Sequence, residues 1–217
     1  MYAPFAPSRV TLALVAVLAL GAPPRSPAQD APPAPANGPV YNVEIIVFRA
    51  ATAVGGAENW SAEAGGGARS IAGDESAGGS QVGHFVGELP ASAWQLGELE
   101  SRLRASAAYV PVAHAAWSQT PSSWGTRAGF SLQRLGINVP GLSGTVYLER
   151  GQYLHLGMSL SYANPSPPEG LGAAPGTTFT INESRRIKFY ERNYFDNPAF
   201  GVIALVTPAQ GTRAPGR

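Results

Sequence analysis

The chain has 217 residues, with 15 lysines and arginines against 14 acids and a formal charge of +1. It contains no cysteine, which excludes disulfides, thiol catalysis, cysteine metal ligation and a lipid-modified N-terminal cysteine. The 26 glycines and 20 prolines cluster, so the folded part is smaller than the length suggests.

The N-terminus reads as a secretory signal peptide over residues 1–28. Arg9 supplies the positive start, Val10 to Leu20 is an uncharged apolar run, and Ser26-Pro27-Ala28 offers small residues for cleavage. The apolar run is shorter than the roughly 20 residues a membrane-spanning helix needs. The alternative is an uncleaved N-terminal anchor. Cleavage after Ala28 would remove Arg9 and Arg25 and no acid, leaving 13 basic residues against 14 acidic ones. Without a basic excess, nucleic acid is a poor partner. Residues 29–40 form a Pro/Ala linker.

One domain is expected over 41–208. Tyr41 to Arg49 is apolar on both parities and predicts a central strand. Residues 51–89, mostly Gly, Ala and Ser, predict a long, mobile, disordered loop. A helix is predicted at about 93–107, with Ser92 and Gln95 at capping-box spacing and Leu96, Leu99 and Leu103 as its apolar stripe. Glu98–Arg102 and Glu100–Arg104 fall at i,i+4 and read as a solvated face. Tyr109 to Ser118 is a strand in which Pro111 demands an edge position or a bulge. Residues 119–141 read as loop, with order expected only near Phe130 to Leu135.

Leu142 to Tyr162 predicts a hairpin turning at Arg150-Gly151. Its return strand puts Leu154, Leu156, Met158 and Leu160 on one face, and Tyr153, His155, Ser159 and Ser161 on the other. After a Pro/Gly loop at 163–176, Phe179, Ile181, Ile187 and Phe189 share one strand parity. Glu183 and Arg185 fall on that same parity. Either a bulge resets the phase there, or an acid and a guanidinium point together toward the apolar side. Arg185 then calls for a partner, which Glu183 supplies. Asp196-Asn197-Pro198 is a turn, and Phe200 to Val206 is a strand covered on both faces. Residues 209–217 are a frayed, disordered tail. The fold class is α+β, a mainly antiparallel sheet of about five to six strands with one main helix on one face and a ferredoxin-like core.

No GxSxG, HExxH or P-loop motif is present. His84, His114 and His155 show no ligand-like spacing, so neither a metal nor a cofactor is expected. Glu183 and Asp196 read as structural, the first paired with Arg185 and the second capping its turn. A catalytic carboxylate pair is the alternative. Arg185, Arg186, Tyr153, His155, Trp117 and Tyr194 are the residue types a glycan- and carboxylate-binding surface uses: aromatics for sugar faces, guanidinium forks for carboxylates.

Several segments in order carry a family resemblance: YNVEIIVF, YVPVAHAAWSQ, YLHLGMSLSY, and ESRR followed by YFDNPAFGVIALVTP. Over residues 41–50 and 90–208 the chain resembles the CsiV family of periplasmic peptidoglycan-binding proteins. It departs from that family at Asn193 and Asn197, where histidine is expected. The resemblance implies a non-catalytic periplasmic protein that binds peptidoglycan and supports cell-wall assembly. Its implied partners are a class A penicillin-binding protein and the outer-membrane lipoprotein that activates it. An envelope protein-interaction module without glycan affinity, and a glycan-cleaving enzyme, are the other readings.

Overall fold

The computed structural model describes residues 38–52 and 82–209. The expected signal peptide, most of the expected linker, residues 53–81 of the Gly/Ala-rich stretch and residues 210–217 lie outside the described residues.

Ten strands and one α-helix follow in order: β1 (Tyr41–Ala50), β2 (Phe85–Glu88), α1 (Gly97–Ala105), β3 (Tyr109–Gln119), β4 (Ser122–Ser123), β5 (Phe130–Ser131), β6 (Leu142–Arg150), β7 (Leu154–Ala163), β8 (Thr178–Arg186), β9 (Arg192–Asn197) and β10 (Phe200–Pro208). They build two five-stranded sheets. The first runs β2-β3-β1-β10-β9 and is antiparallel throughout. The second runs β4-β6-β7-β8, with β5 also on β6, and only its β4–β6 pair is parallel.

The expectation of one sheet with a ferredoxin-like core is corrected by this topology. The two sheets share a core: Val43, Ile45, Val47, Trp117, Val202 and Val206 from the first meet Val146, Leu148, Leu156, Met158, Leu160 and Ile181 from the second. Alternation explains why the sequence divides so cleanly, since odd residues of β1 and even residues of β7 all point inward. The first sheet is also apolar on its other face, where Ile46, Phe48 and Leu205 pack against Leu96 and Leu103 of α1. The molecule is therefore three layers: helix, sheet, sheet. β1 and β10 are central and covered twice, which is why both are apolar on both parities.

The Pro111 disturbance is real. The β1–β3 register shifts between Val47 and Phe48, so that Ala113 and Pro111 face them in turn. β2 pairs only with the far end of β3, so no strand needs a hydrogen bond from Pro111 on that side. Residues 85–88, expected to be loop, form β2 instead.

The helix starts later than expected and is not capped by Ser92. Glu44 of β1 instead anchors the segment entering the helix: its carboxylate accepts the backbone N–H of Gln95 at 2.7 Å and of Leu96 at 2.8 Å. An anchor reaching across 51 residues has no local sequence signature. The same carboxylate holds His114 Nε2 at 2.8 Å, and His114 Nδ1 meets Glu100 at 2.8 Å. Glu100 is thus not on a solvated face but is one arm of a Glu–His–Glu clamp between α1 and the sheet, with the Trp94 ring tilted against the imidazole, centroids 4.2 Å apart. Burial pulls the His114 pKa down, but the hydrogen bonds and charges of Glu44 and Glu100 outweigh it and raise the pKa. Burial likewise pushes both carboxylates up, and the bonds from His114, joined by the N–H groups at Glu44 and by Arg104 at Glu100, hold both below the usual range.

Candidate functional site

Among the described residues the one α-helix packs on the first sheet, which leaves the outer face of the second without it. Its rows are set by register: Glu149 of β6, His155 of β7 and Arg186 of β8 lie side by side across three strands. The next row is Tyr147, Gly157 and Ser184. Tyr147 lies flat across its row, and a Cβ on Gly157 would sit 2.2 Å from the ring. Gly157 is the residue that lets this tyrosine lie down toward Ser184 on β8.

A loop crosses the end of β6 onto this face. Ser122–Ser123 pair with Glu149–Arg150, and the Trp124 N–H donates to the Arg150 carbonyl at 3.2 Å. The buried Glu149 carboxylate accepts the Arg127 N–H and, at 3.4 Å, the Thr126 hydroxyl. Arg127 is held at φ 49°, a left-handed conformation that a non-glycine residue seldom adopts. The result places Trp124 over His155, ring centroids 4.1 Å apart, with the indole 56 % exposed. His155 Nδ1 beneath it is buried and has no hydrogen-bond partner among the described residues. Directly beside this pair, the Arg186 guanidinium lies 3.4 Å over the ring of Tyr153, which is itself exposed.

Two aromatic–polar stacks therefore stand next to each other where the β6–β7 turn meets the end of β8. Behind them a cleft of about 570 Å³ opens between that turn and the 187–191 connection. Arg150, Arg186 and Lys188 supply its positive charge and Glu191 its negative charge. Tyr41, Tyr153, Phe189 and Tyr190 supply its aromatic walls. Arg150 donates to Tyr41 Oη at 2.8 Å, and Tyr41 stacks on Phe189 at 5.5 Å.

Of the six residues nominated from sequence, Tyr153, His155 and Arg186 come together here. Trp117 does not: it is 0 % exposed in the inter-sheet core, its indole N–H donating to Gln119 at 2.6 Å, and it offers no surface to a ligand. Tyr194 lies on the helix-side face of the other sheet, stacked on Phe48, where burial, then Asp196 and Tyr109, push its pKa up to about 12. Arg185 does share the core-side parity, in an unbroken β7–β8 register, so no bulge resets the phase. It is nevertheless exposed, on the edge strand of its sheet; it pairs with Glu183 and lies 5.3 Å over Phe195. Asp196 does not cap the turn; Asn197 does, its side-chain oxygen accepting the Ala199 N–H at 3.0 Å.

Trp124 was missed. The available signal was a lone tryptophan in a Ser-Ser-Trp-Gly stretch, since an aromatic on a turn has no strand or helix face to justify it. Arg150 was missed because it read only as a turn residue.

The chain belongs to the CsiV family: the model for "Peptidoglycan-binding protein, CsiV" matches residues 10–209, nearly its whole length. No curated protein and no solved structure matches it.

Proposed function

We propose that this is a periplasmic, non-catalytic protein that attaches to peptidoglycan through the outer face of its second sheet. The family match supports peptidoglycan as the ligand. The observation that carries the placement is Trp124, a large apolar ring held in the open by a buried carboxylate anchor. Exposing an indole costs hydrophobic free energy, and the fold spends a left-handed Arg127 to do so. Flat aromatic surfaces edged with hydrogen-bonding groups suit sugar rings, which have apolar faces and polar rims. Trp124 and Tyr153 provide the surfaces, and His155 and Arg186 the polar edges.

Export rests on the N-terminal pattern of Arg9, the apolar run and Ser26-Pro27-Ala28. The same reading makes the protein an assistant to a class A penicillin-binding protein and its outer-membrane lipoprotein activator, with wall attachment as its contribution.

Retention of the purified protein on isolated sacculi tests the placement. Wild type should sediment with sacculi, and Trp124→Ala should lose at least about tenfold in affinity, roughly 1.4 kcal/mol. Its melting temperature should stay unchanged, because the removed ring is mostly exposed. No retention of wild type would favour a protein-interaction module instead. Release of soluble muropeptides, abolished by Glu183→Gln, would make the protein an enzyme and end this reading.

A further inference from the structure

We infer that the cleft beside the aromatic stacks is a carboxylate subsite that takes the peptide stem of the wall polymer, an inference resting on the peptidoglycan reading above. Arg150 and Arg186 flank β7 one register step apart, Arg150 opposite Leu154 and Arg186 opposite His155. Among the described residues neither guanidinium has a carboxylate within ion-pair distance. The cleft's own acid does not serve them, because Glu191 pairs with Lys188 at 3.3 Å.

Both guanidiniums are also oriented. Tyr41 Oη holds Arg150 through one nitrogen, leaving the rest of its donor fork for other acceptors. Stacking on Tyr153 fixes the plane of Arg186 and leaves its edge donors unused. A planar fork with fixed orientation is matched by a carboxylate, which accepts two parallel N–H bonds. Sugar hydroxyls can accept single N–H bonds from such groups, but only an anion also compensates their charge. The stem peptides of peptidoglycan carry free carboxylates, and a stem leaves the glycan strand sideways. A strand lying on Trp124 would thus direct a stem toward the cleft.

The wall of the cleft shows a second mark of a built site. Tyr190 sits at φ 64°, unusual for a bulky residue, with its ring 68 % exposed and its N–H tied to the Val206 carbonyl at 3.1 Å. Strain of this kind collects at binding sites, where the surrounding structure maintains it.

The test compares three forms of one wall preparation: untreated sacculi, the stem-free glycan strands that an amidase releases, read by binding in solution because the cross-links leave with the stems, and sacculi with their carboxylates converted to neutral amides. Wild type should bind untreated sacculi at least about tenfold more tightly than either modified form, and added salt should close the gap. Arg186→Gln should bind all three alike, as should Lys188→Gln/Arg186→Gln, with melting temperatures near wild type because both side chains are exposed. Arg150→Gln is the weaker variant to rely on, since Arg150 also holds the core residue Tyr41. Equal binding of wild type to untreated sacculi and to the stem-free strands would overturn the carboxylate subsite while leaving glycan attachment intact. Equal binding to untreated and amide-neutralised sacculi would do the same. Failure to bind any of the three would overturn both readings.

Discussion

Replacing His114 by alanine removes the cation from a clamp that joins α1 to the first sheet. The His114 and Glu44 side chains are only 5 % and 6 % exposed, so the loss leaves a buried carboxylate without its charge partner. Breaking a buried pair from one side costs about 3–5 kcal/mol. Two features put this case at the lower end, about 3 kcal/mol by that scale. Glu44 keeps the N–H groups of Gln95 and Leu96, and Glu100 keeps Arg104. At about 2–4 °C per kcal/mol for a domain of this size, melting should fall by about 6–12 °C.

The pH dependence carries a sharper signature. His114 has a folded pKa above its ordinary 6.5, so its contribution is complete below 6.5 and is lost as pH rises through the raised value. Glu44 and Glu100 are depressed below 4.5, so theirs is complete above 4.5 and is lost as pH falls through the lowered values. Wild type should therefore lose stability from pH 6.5 upward, and His114→Ala should show a flatter profile there. Urea denaturation across pH 5 to about 9 measures both effects through the shift in midpoint. A cost under about 1 kcal/mol, the ordinary effect of a surface substitution, together with an unchanged pH slope, would refute the clamp.

Gly157→Ala should destabilise by about 1–3 kcal/mol, because the new methyl group must displace the Tyr147 ring. Thermal melting measures this, and the same substitution should cost less in a Tyr147→Ala background, where no ring has to be displaced. Arg185→Ala and Arg186→Ala should differ in stability by less than about 1 kcal/mol, since an exposed ion pair and an exposed cation–π contact are of similar, small worth. This replaces the larger gap that strand parity by itself suggests. Sacculus binding should separate the two instead, falling for Arg186→Ala and holding for Arg185→Ala.

Local pattern settled which residues face inward. The period-2 alternation of β7, the two-parity apolar runs of β1 and β10, the leucine stripe of α1 and the bulge at Pro111 all follow from side-chain direction, which is a property of each segment alone. From the same pattern came Tyr153, His155 and Arg186 on an outward face.

Sheet partnership was a different matter. An inward residue looks the same whether its face meets a helix or a second sheet, so Trp117 could not be told from a surface aromatic, nor one sheet from two. Arg185 has the parity of a core residue and the exposure of a surface one, because β8 is the edge strand of its sheet. The Glu44 anchor ahead of α1, the His114 clamp and the Glu149 anchor under Trp124 join residues 14 to 70 positions apart. Contacts over such distances leave no periodicity in a chain, and only the packed fold decides them.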